Sequence, residues 1–292
     1  MRICLSCSTK IEDDGWTCPS CGWQPAEHQG FCFFAEAISR TNEGYDPQWY
    51  AELARLEDRH FWFEARNRLI CWLTARHASA GARYLEIGCG TGFVLRGLQQ
   101  RFPEWTVQAT EVHADGLLFA RERVGRDVVL SQMDARAIPF RGELDVIGAF
   151  DVIEHIEDDE RVLREVHAAL RPGGLFVCSV PQHMFLWSRF DELGYHCRRY
   201  AWKELRRKLE NAGFLVVEAT SFNAVLLPLM LLARVGTRRE NPGDDALEEL
   251  RVSSALNAML SWALWFEFVL IRLGVRWPVG GSRIVLARKA RT

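Results

Sequence analysis

The feature of this sequence that most constrains its fold is an alternation of short apolar strands and helices between residues 82 and 219. The predicted strands are 82–87, 105–110, 127–130, 144–150, 175–180 and 214–219. The predicted helices between them are 93–101, 113–124, 158–170 and 201–212. This alternation predicts an α/β fold with a mostly parallel sheet and helices on both faces. Ligands of such sheets bind at the carboxyl ends of the strands.

Composition places the chain among ordinary folded proteins. It has 292 residues, of which 48% are hydrophobic and 25% are charged, so it can bury a large core and is not a disordered chain. The net charge of -2 argues against a surface that is basic throughout, as a general nucleic-acid binder would need. The sequence opens without a secretory signal pattern, and its cysteines number nine, an odd count. Both features favour a reduced, cytoplasmic setting.

Four cysteines near the N-terminus form two CxxC pairs, Cys4 with Cys7 and Cys18 with Cys21. Thiolates two residues apart wrap one side of a tetrahedral ion, and a second pair closes its coordination shell. So short a segment buries too little surface to fold alone, and a metal would supply its folding energy. The spacing predicts a metal-binding zinc ribbon with a structural Zn2+, and iron is the alternative ion. The other five cysteines are expected to be small core residues.

A glycine-rich turn, Gly88-Cys89-Gly90-Thr91-Gly92, joins the first predicted strand to its helix. Glycines let a ligand approach the backbone closely, and the helix that follows offers unpaired N–H groups. Glu111 ends the next strand, where a carboxylate can accept hydrogen bonds from both ribose hydroxyls. These residues predict an adenosine-type ligand. Phe93 stands where a dinucleotide-binding turn has its third glycine, and no Lys-Ser/Thr pair follows, which excludes ATP bound by a P-loop.

With these motifs in this order, the sequence resembles the class I S-adenosylmethionine-dependent methyltransferases. The stretch from Glu86 to Gly92 resembles their first motif, and Glu111 matches the acid that ends their second strand. The other matching segments are Met133-Asp134-Ala135, 144–147, 150–155 and 170–174. The resemblance covers roughly residues 60–222 and the last strand. Within the class, the chain is similar to the UbiG-like and glycan-cluster methyltransferases of bacteria.

The resemblance implies a Rossmann-like fold with seven strands and the transfer of a methyl group from S-adenosylmethionine to an acceptor. It implies that Gly88, Gly90 and Gly92 pass close to the methionine and ribose portions. It also implies that Glu86 fixes the loop or the methionine amino group and that Glu111 holds the ribose. The other cofactor-binding residues that it implies are Met133, Asp134, Ala135 and Phe150. The expected acceptor is a small molecule, a glycan or a lipid-linked compound, methylated at oxygen.

Two histidines are candidate catalytic bases. His155 follows the fourth predicted strand and His183 follows the fifth, and a neutral imidazole can take a proton from a hydroxyl or an amine. The alternative role for His155 is to orient its own loop. The resemblance also implies a divalent-cation pattern at Asp151, Glu154 and His155. Because Asp replaces Glu at the first position of that pattern, we do not expect a cation there.

Two further segments are expected to border the site. Residues 60–67 are dense in aromatics beside charges, which fits a helix that packs on the next domain or one that covers the cofactor pocket. Residues 191–200, which include Asp191 and His196, are too polar and aromatic for a core strand. We expect this second stretch to line the acceptor pocket.

A long insertion separates the sixth predicted strand from the last one, residues 282–288. It holds two segments, 225–235 and 256–275, that are apolar around most of a helix and therefore need a partner surface. We expect a substrate cap. The alternative is peripheral membrane contact through residues 223–280, with tryptophans at the boundary. Pro228 falls at the centre of the first segment, which argues against a simple span.

These patterns give a domain plan and a ranked set of functions. The predicted parts are a zinc ribbon (1–28), a linker and helical lid (29–80), a methyltransferase domain (81–222 with 281–290) and a helical insertion (223–280). The alternative function is an RNA or protein methyltransferase that uses the ribbon for recognition, although the acidic residues 12–14 disfavour nucleic acid. A binding module without chemistry is disfavoured by the intact glycine turn. The expected location is the cytoplasm or the periphery of a membrane.

Overall fold

The structure is a computed structural model that describes residues 1–12, 15–39, 48–236 and 252–291. Its strands are β1 (Arg2–Ile3), β2 (Lys10–Ile11), β3 (Ala26–His28), β4 (Phe31–Phe33), β5 (Arg83–Ile87), β6 (Thr106–Glu111), β7 (Val129–Gln132), β8 (Leu144–Phe150), β9 (Leu170–Pro181), β10 (Phe214–Phe222) and β11 (Ser282–Lys289). Its helices are α1 (Glu36–Ser39), α2 (Gln48–Leu56), α3 (Phe61–His77), α4 (Phe93–Arg101), α5 (Ala114–Val124), α6 (Asp159–Ala169), α7 (Arg189–Leu193), α8 (Trp202–Asn211), α9 (Leu227–Gly236) and α10 (Ser254–Arg272).

The predicted α/β fold is confirmed. Seven strands lie in the order β7-β6-β5-β8-β9-β11-β10, and the strands from β7 to β9 run parallel. β11 runs antiparallel to both β9 and β10. Every residue of β8 is buried, as expected for a central strand covered by helices on both faces. Helices α3, α4, α5 and α10 share one core cluster with the sheet, and α6 and α8 share the other.

The sheet continues beyond the predicted seven strands. β4 pairs in parallel with β7, and β3 completes a hairpin at the edge, so the described part of the sheet has nine strands. The sequence predicts a linker from residue 29, but Phe31 and Phe33 are buried in the main core. Two inward phenylalanines separated by one residue follow the strand period. A three-residue strand is too short for that period to be recognised from sequence alone.

The C-terminal insertion forms two helices, α9 and α10, between β10 and β11. α10 packs along α3, which itself lies on the sheet beside α4. The expectation that Pro228 lies at the centre of a helix is wrong, because α9 begins at Leu227. A proline in the first turn has no helical N–H to lose and is compatible with a straight helix.

Candidate active site and metal centre

The glycine turn after β5 has the backbone conformation that its residues predict. Gly88 has φ of +65°, and a Cβ placed there would lie 2.6 Å from a methyl carbon of Val152. Only glycine therefore fits at this position. Gly90, with φ of +53°, faces open space, because no heavy atom lies within 4 Å of a Cβ placed there. The turn thus leaves room for a ligand to approach the backbone at Gly90.

Glu111 ends β6 directly beside this turn. One carboxylate oxygen accepts a hydrogen bond from the N–H of Gly90 at 2.9 Å. The other accepts from the N–H groups of Val112 at 2.8 Å and His113 at 3.2 Å. Three main-chain donors fix the orientation of this buried carboxylate. The acid and the glycine turn, both predicted to bind the cofactor, are therefore in direct contact.

The other residues predicted to bind the cofactor lie at the same edge of the sheet. Asp134 follows β7, and its carboxylate accepts from the backbone N–H of Arg136 at 2.8 Å and from its guanidinium at 3.0 Å. Met133 and Ala135 are buried on either side of it, and Phe150 is buried at the end of β8. The structure places these residues at the carboxyl ends of β7 and β8 in the parallel part of the sheet, at the edge where ligands of such sheets bind.

A buried cation lies among the acids of this edge. Arg66, on α3, is paired with Asp151 and lies within electrostatic reach of Glu57, Glu86 and Glu154. Burial lowers the pKa of Arg66 to about 10 and raises the pKa of both Glu86 and Glu154 to about 8. Arg66 is not among the site residues predicted from the sequence. The cluster of aromatics and charges at residues 60–67 is the signal that could have identified it.

Glu154 follows β8 and is a second buried acid with a raised pKa. It is fully buried, yet neither of its oxygens is bonded to any group in the part of the chain that the structure describes. In contrast, the buried Glu86 accepts a hydrogen bond of 2.7 Å from the hydroxyl of Tyr84. An unpartnered buried acid is costly to folding and points to a ligand or a catalytic role.

The segment before β5 covers the glycine turn. Glu57, in the single 3-10 turn between α2 and α3, accepts hydrogen bonds from Thr91 of the glycine turn and from Arg123 of α5. Tyr50 of α2 and the side chain of Glu111 both approach Gly116, since a Cβ placed on that glycine would lie 2.9 Å from an atom of each. Of the two roles expected for residues 60–67, packing on the domain is seen, because Ala65 is buried in the main core. Cover over the cofactor pocket by these residues stays a prediction.

The surroundings of both histidines that were predicted as bases lower the pKa of the imidazole. Burial, together with the neighbouring His196, lowers the pKa of His155 to about 3, so its imidazole is neutral but weakly basic. His183 follows β9 with φ of +62°. Burial, together with Arg283 and Arg199, lowers its pKa as well.

A third histidine is better oriented to act as a base. His196 Nδ1 lies 2.8 Å from an Asp191 carboxylate oxygen, and Arg199 donates to the same oxygen at 2.7 Å. Burial acts to raise the pKa of Asp191, but the hydrogen bonds from His196 and Arg199 outweigh it and lower that pKa to about 2. The ionised Asp191 therefore directs the Nδ1–H of His196 toward itself and leaves Nε2 to accept a proton. The His196 ring lies 4.6 Å from that of His155.

The cation pattern implied by the resemblance does not assemble as a set. Asp151 pairs with Arg66 and accepts a hydrogen bond from Ser179 at 3.0 Å. The ligand atoms that do come within 4.8 Å of one another belong to Glu154, His155 and His196. The guanidinium of Arg66 acts on Glu154 and would oppose a second cation nearby. That no cation binds at this pattern stays a prediction.

The four N-terminal cysteines converge as a metal site would require. Cys4 Sγ lies 3.7 Å from Cys21 Sγ, Cys7 Sγ lies 3.5 Å from Cys18 Sγ, and all four sulfurs lie within 4.8 Å of one another. Zn–S bonds of about 2.3 Å place tetrahedral sulfurs roughly 3.8 Å apart. The donor set therefore fits a four-cysteine zinc site with no open coordination position.

The fold and the edge of the sheet together define an α/β protein built to hold an adenosyl ligand. A family model described as "Methyltransferase domain" matches residues 54–219, more than half of the chain. The chain belongs to this family, the S-adenosylmethionine-dependent methyltransferases.

Individual relatives agree with the family. A Mycolicibacterium smegmatis protein named "Probable S-adenosylmethionine-dependent methyltransferase" is 31% identical over 54% of this chain and 61% of its own length. The "Ubiquinone biosynthesis O-methyltransferase" of Ruegeria pomeroyi is 35% identical over 34% of this chain and 41% of its own. The chain thus spans less than two thirds of either relative.

A solved structure shares the fold. Phosphoethanolamine N-methyltransferase 2 of Haemonchus contortus, in complex with S-adenosyl-L-methionine, aligns with a TM-score of 0.57 at 19% identity. The alignment covers 88% of this chain and 60% of that one. At this identity the likeness shows a common fold and leaves the acceptor to be argued from the site.

Proposed function

We propose that this methyltransferase transfers the methyl group of S-adenosylmethionine to an oxygen of a small-molecule, glycan or lipid-linked acceptor. The observation that carries the proposal is the direct contact of Glu111 with the open glycine turn at Gly90. The similarity to an O-methyltransferase of ubiquinone biosynthesis supports oxygen as the acceptor atom.

Each residue at the carboxyl edge of the sheet would bind a different part of S-adenosylmethionine. Glu111 would accept hydrogen bonds from the ribose hydroxyls, and Asp134 with Met133 would hold the adenine. Arg66 is a buried cation that can release Asp151 and bind the methionine carboxylate in its place. Glu154, whose oxygens have no partner among the described residues, can accept a hydrogen bond from the methionine ammonium. When bound, S-adenosylmethionine supplies a methyl group activated by the positive charge of its sulfonium. The chain contributes by positioning the reactants and excluding water.

We assign the general base to His196 rather than to His155 or His183. A general base must be unprotonated before the reaction, and its protonated form must be stabilised by its surroundings. The low pKa of His155, about 3, gives it little tendency to take one. The carboxylate of Asp191, 2.8 Å from His196 Nδ1, stabilises the imidazolium that forms when Nε2 accepts the acceptor's proton.

We assign Zn2+ to the four-cysteine site as a structural ion. The ribbon rests on the domain through Trp16, whose ring lies 4.6 Å from Phe34 and 5.7 Å from Phe140. This aromatic face is therefore occupied by the chain's own domain, which supports a structural role over recognition of RNA or protein.

The test is donor binding followed by methyl transfer. We expect calorimetry to show S-adenosylmethionine binding by the wild type and at least tenfold weaker binding by Glu111→Ala, with Glu104→Ala, an exposed acid, as the control. For transfer, labelled S-adenosylmethionine is mixed with membranes and extract from cells that lack this protein. We expect label in an acceptor with the wild type and a large loss with His196→Ala at unchanged donor affinity. A wild type that does not bind the donor would contradict the proposal.

A further inference from the structure

The outer side of α10 is an apolar surface of unusual size. The exposed large side chains of this surface, which we call the α10 face, are Leu256, Met259, Trp262, Trp265, Phe266 and Leu273. Trp262 is 70% exposed and Leu273 is 78% exposed. No exposed residue of the helix between residues 256 and 266 is charged. At about 1.5 Å per residue the helix is roughly 28 Å long. Contiguous apolar patches on this scale mark interaction sites.

The opposite side of α10 packs against the domain, so the α10 face points toward solvent. Leu260, Leu264 and Ile271 are buried against the domain at helical spacing. Near the N-terminal end of the helix, the Asn257 side chain accepts from the N–H of Phe61 at 2.9 Å and donates to a carbonyl before α3. The orientation of the helix is therefore set by its own core contacts, and the α10 face is left to a partner.

Cations border the α10 face. The guanidinium groups of Arg68 on α3 and Arg272 on α10 lie 6.0 and 5.9 Å from the ring centre of Phe268. Neither arginine forms an ion pair with another residue that the structure describes. Two uncompensated cations beside an apolar, tryptophan-bearing helix are complementary to the charge and layering of an anionic bilayer surface.

Exposed apolar side chains also lie beside the turn that follows β9 at the carboxyl edge of the sheet. α9 carries the exposed Leu229 and Leu232 and contacts the turn Met184–Leu186. Phe185 in that turn is 61% exposed, and its ring stacks on that of His183. A lipid-linked acceptor that left a bilayer along this surface would therefore arrive beside the site.

We propose that the α10 face and α9 dock this protein onto the surface of anionic phospholipid membranes. Within the described residues, α10 is the one helix long and apolar enough to cross a membrane, with 22% of its window buried. The structure favours a helix that lies along the surface, because spanning would strip its core contacts and place Glu267, which is fully buried, in lipid. Docking stands independently of the reaction, whereas delivery of the acceptor rests on the proposed function.

Vesicle sedimentation with the full chain tests the docking. We expect the wild type to pellet with phosphatidylcholine vesicles that contain phosphatidylglycerol and the double variant Trp262→Glu/Phe266→Glu to bind at least tenfold more weakly. The control is Leu118→Glu, which adds one negative charge, half of that added by the double variant, at an exposed leucine of α5. Arg68→Gln/Arg272→Gln should weaken binding about fivefold for each arginine on anionic vesicles and change little on pure phosphatidylcholine. Tryptophan fluorescence should shift to the blue on binding in the wild type and much less in the double variant.

Three outcomes would overturn the docking proposal. The wild type could fail to pellet, or the Trp262→Glu/Phe266→Glu variant could pellet as well as the wild type. Alternatively, ultracentrifugation could show a dimer that this variant abolishes while vesicles bind neither protein, which would assign the face to a second copy of the chain. Donor calorimetry on the same variant separates these results from the proposed function, because the α10 face does not include the residues assigned to the donor.

Discussion

Two additions to the methyltransferase sheet, the N-terminal ribbon and the C-terminal helical pair, are attached in opposite ways. The ribbon is joined by main-chain hydrogen bonds, including Ile3 N–H to the Pro139 carbonyl at 2.9 Å and Arg141 N–H to the Met1 carbonyl at 2.8 Å. Its own apolar core consists of Cys4, Ile11 and Cys18 with two partly buried tryptophans. The C-terminal pair is joined mainly by side chains, and its buried residues belong to the main core.

This difference sets what each addition depends on. A core as small as that of the ribbon cannot offset the entropy of ordering its chain, so we expect its folding to depend on the proposed Zn2+. α10 shares the core of the domain and should fold and unfold with it. The predictions that follow separate these two dependences, starting with the largest effect.

Removing one thiol should abolish the ribbon. Cys18→Ser leaves three ligands, and we expect loss of bound zinc and of roughly 10 kcal/mol of metal-binding free energy that drives folding of this segment. Metal analysis should find no zinc in the variant, and limited proteolysis should cut within residues 1–28. Cys197→Ser should retain the metal, since this cysteine lies outside the ribbon; it is exposed, so the expectation that it is a core residue is wrong. A Cys18→Ser protein that keeps zinc and resists the protease would contradict this dependence.

Shortening a buried leucine of α10 should destabilise the whole domain. Leu264 is fully buried in the main core, and Leu264→Ala should lower the free energy of unfolding by about 3 kcal/mol through lost burial and a cavity. Urea denaturation should still show one transition for the catalytic domain. Met259→Ala, on the exposed α10 face, should change stability by less than about 0.5 kcal/mol. A separate early transition in Leu264→Ala would show that α10 unfolds on its own.

The sequence alone predicts the catalytic sheet well and the attachments poorly. The predicted strand at residues 144–150 and helix at residues 93–101 have the same bounds in the structure, because both carry long apolar patterns. The addition of β3 and β4 to the sheet is not predictable in the same way. It depends on pairing of Phe33 with Gln132, about a hundred residues away, and no local pattern encodes that distance.

Prediction of the candidate site from the sequence is limited in the same way, because contacts between distant residues are not encoded in a local pattern. Glu111 and the glycine turn are predictable because each follows a recognisable strand, and parallel strands end at one edge. Arg66 and His196 come from helices and loops that cross this edge, so their roles depend on tertiary contacts with Asp151 and Asp191. A sequence pattern can indicate that such segments are functional, as residues 60–67 do, without telling which side chain points inward.

One buried side chain should decide how firmly the β3–β4 hairpin holds to the rest of the sheet. The amide of Gln132 accepts from the Ala35 N–H at 2.9 Å and donates to the carbonyls of Ala35 and Val112 at 3.1 and 3.0 Å. Gln132→Ala leaves these groups unpaired, and we expect a loss of about 2 kcal/mol in urea denaturation with zinc retained. Gln100→Ala, at an exposed position of α4, should be nearly neutral. Equal stability of the two variants would contradict a role for the amide.

The smallest expected effect is a pH dependence that acts in opposite directions on the two additions. Burial raises the pKa of Glu267, while its carboxylate accepts from the Val225 N–H at 2.8 Å. At a pH between the unfolded and the folded pKa of Glu267, the folded chain keeps a proton on this carboxyl that the unfolded chain has released. This contribution to stability is complete below the unfolded pKa of 4.5 and is lost as the pH rises toward the folded value. The ribbon responds in the opposite sense, because zinc binds thiolates and protons compete with it as the pH falls.

Glu267→Gln removes the contribution of the C-terminal helical pair to the pH dependence of stability. Glutamine keeps an oxygen that accepts from the Val225 N–H, but it does not titrate. As the pH rises above the unfolded pKa of 4.5, the wild type should lose up to about 1 kcal/mol more per pH unit than the variant in urea denaturation. Glu122→Gln, an exposed acid on α5, should follow the wild type. Parallel pH profiles for wild type and Glu267→Gln would mean that folding does not shift the pKa of Glu267. This side chain would then make no contribution to the pH dependence of the C-terminal pair.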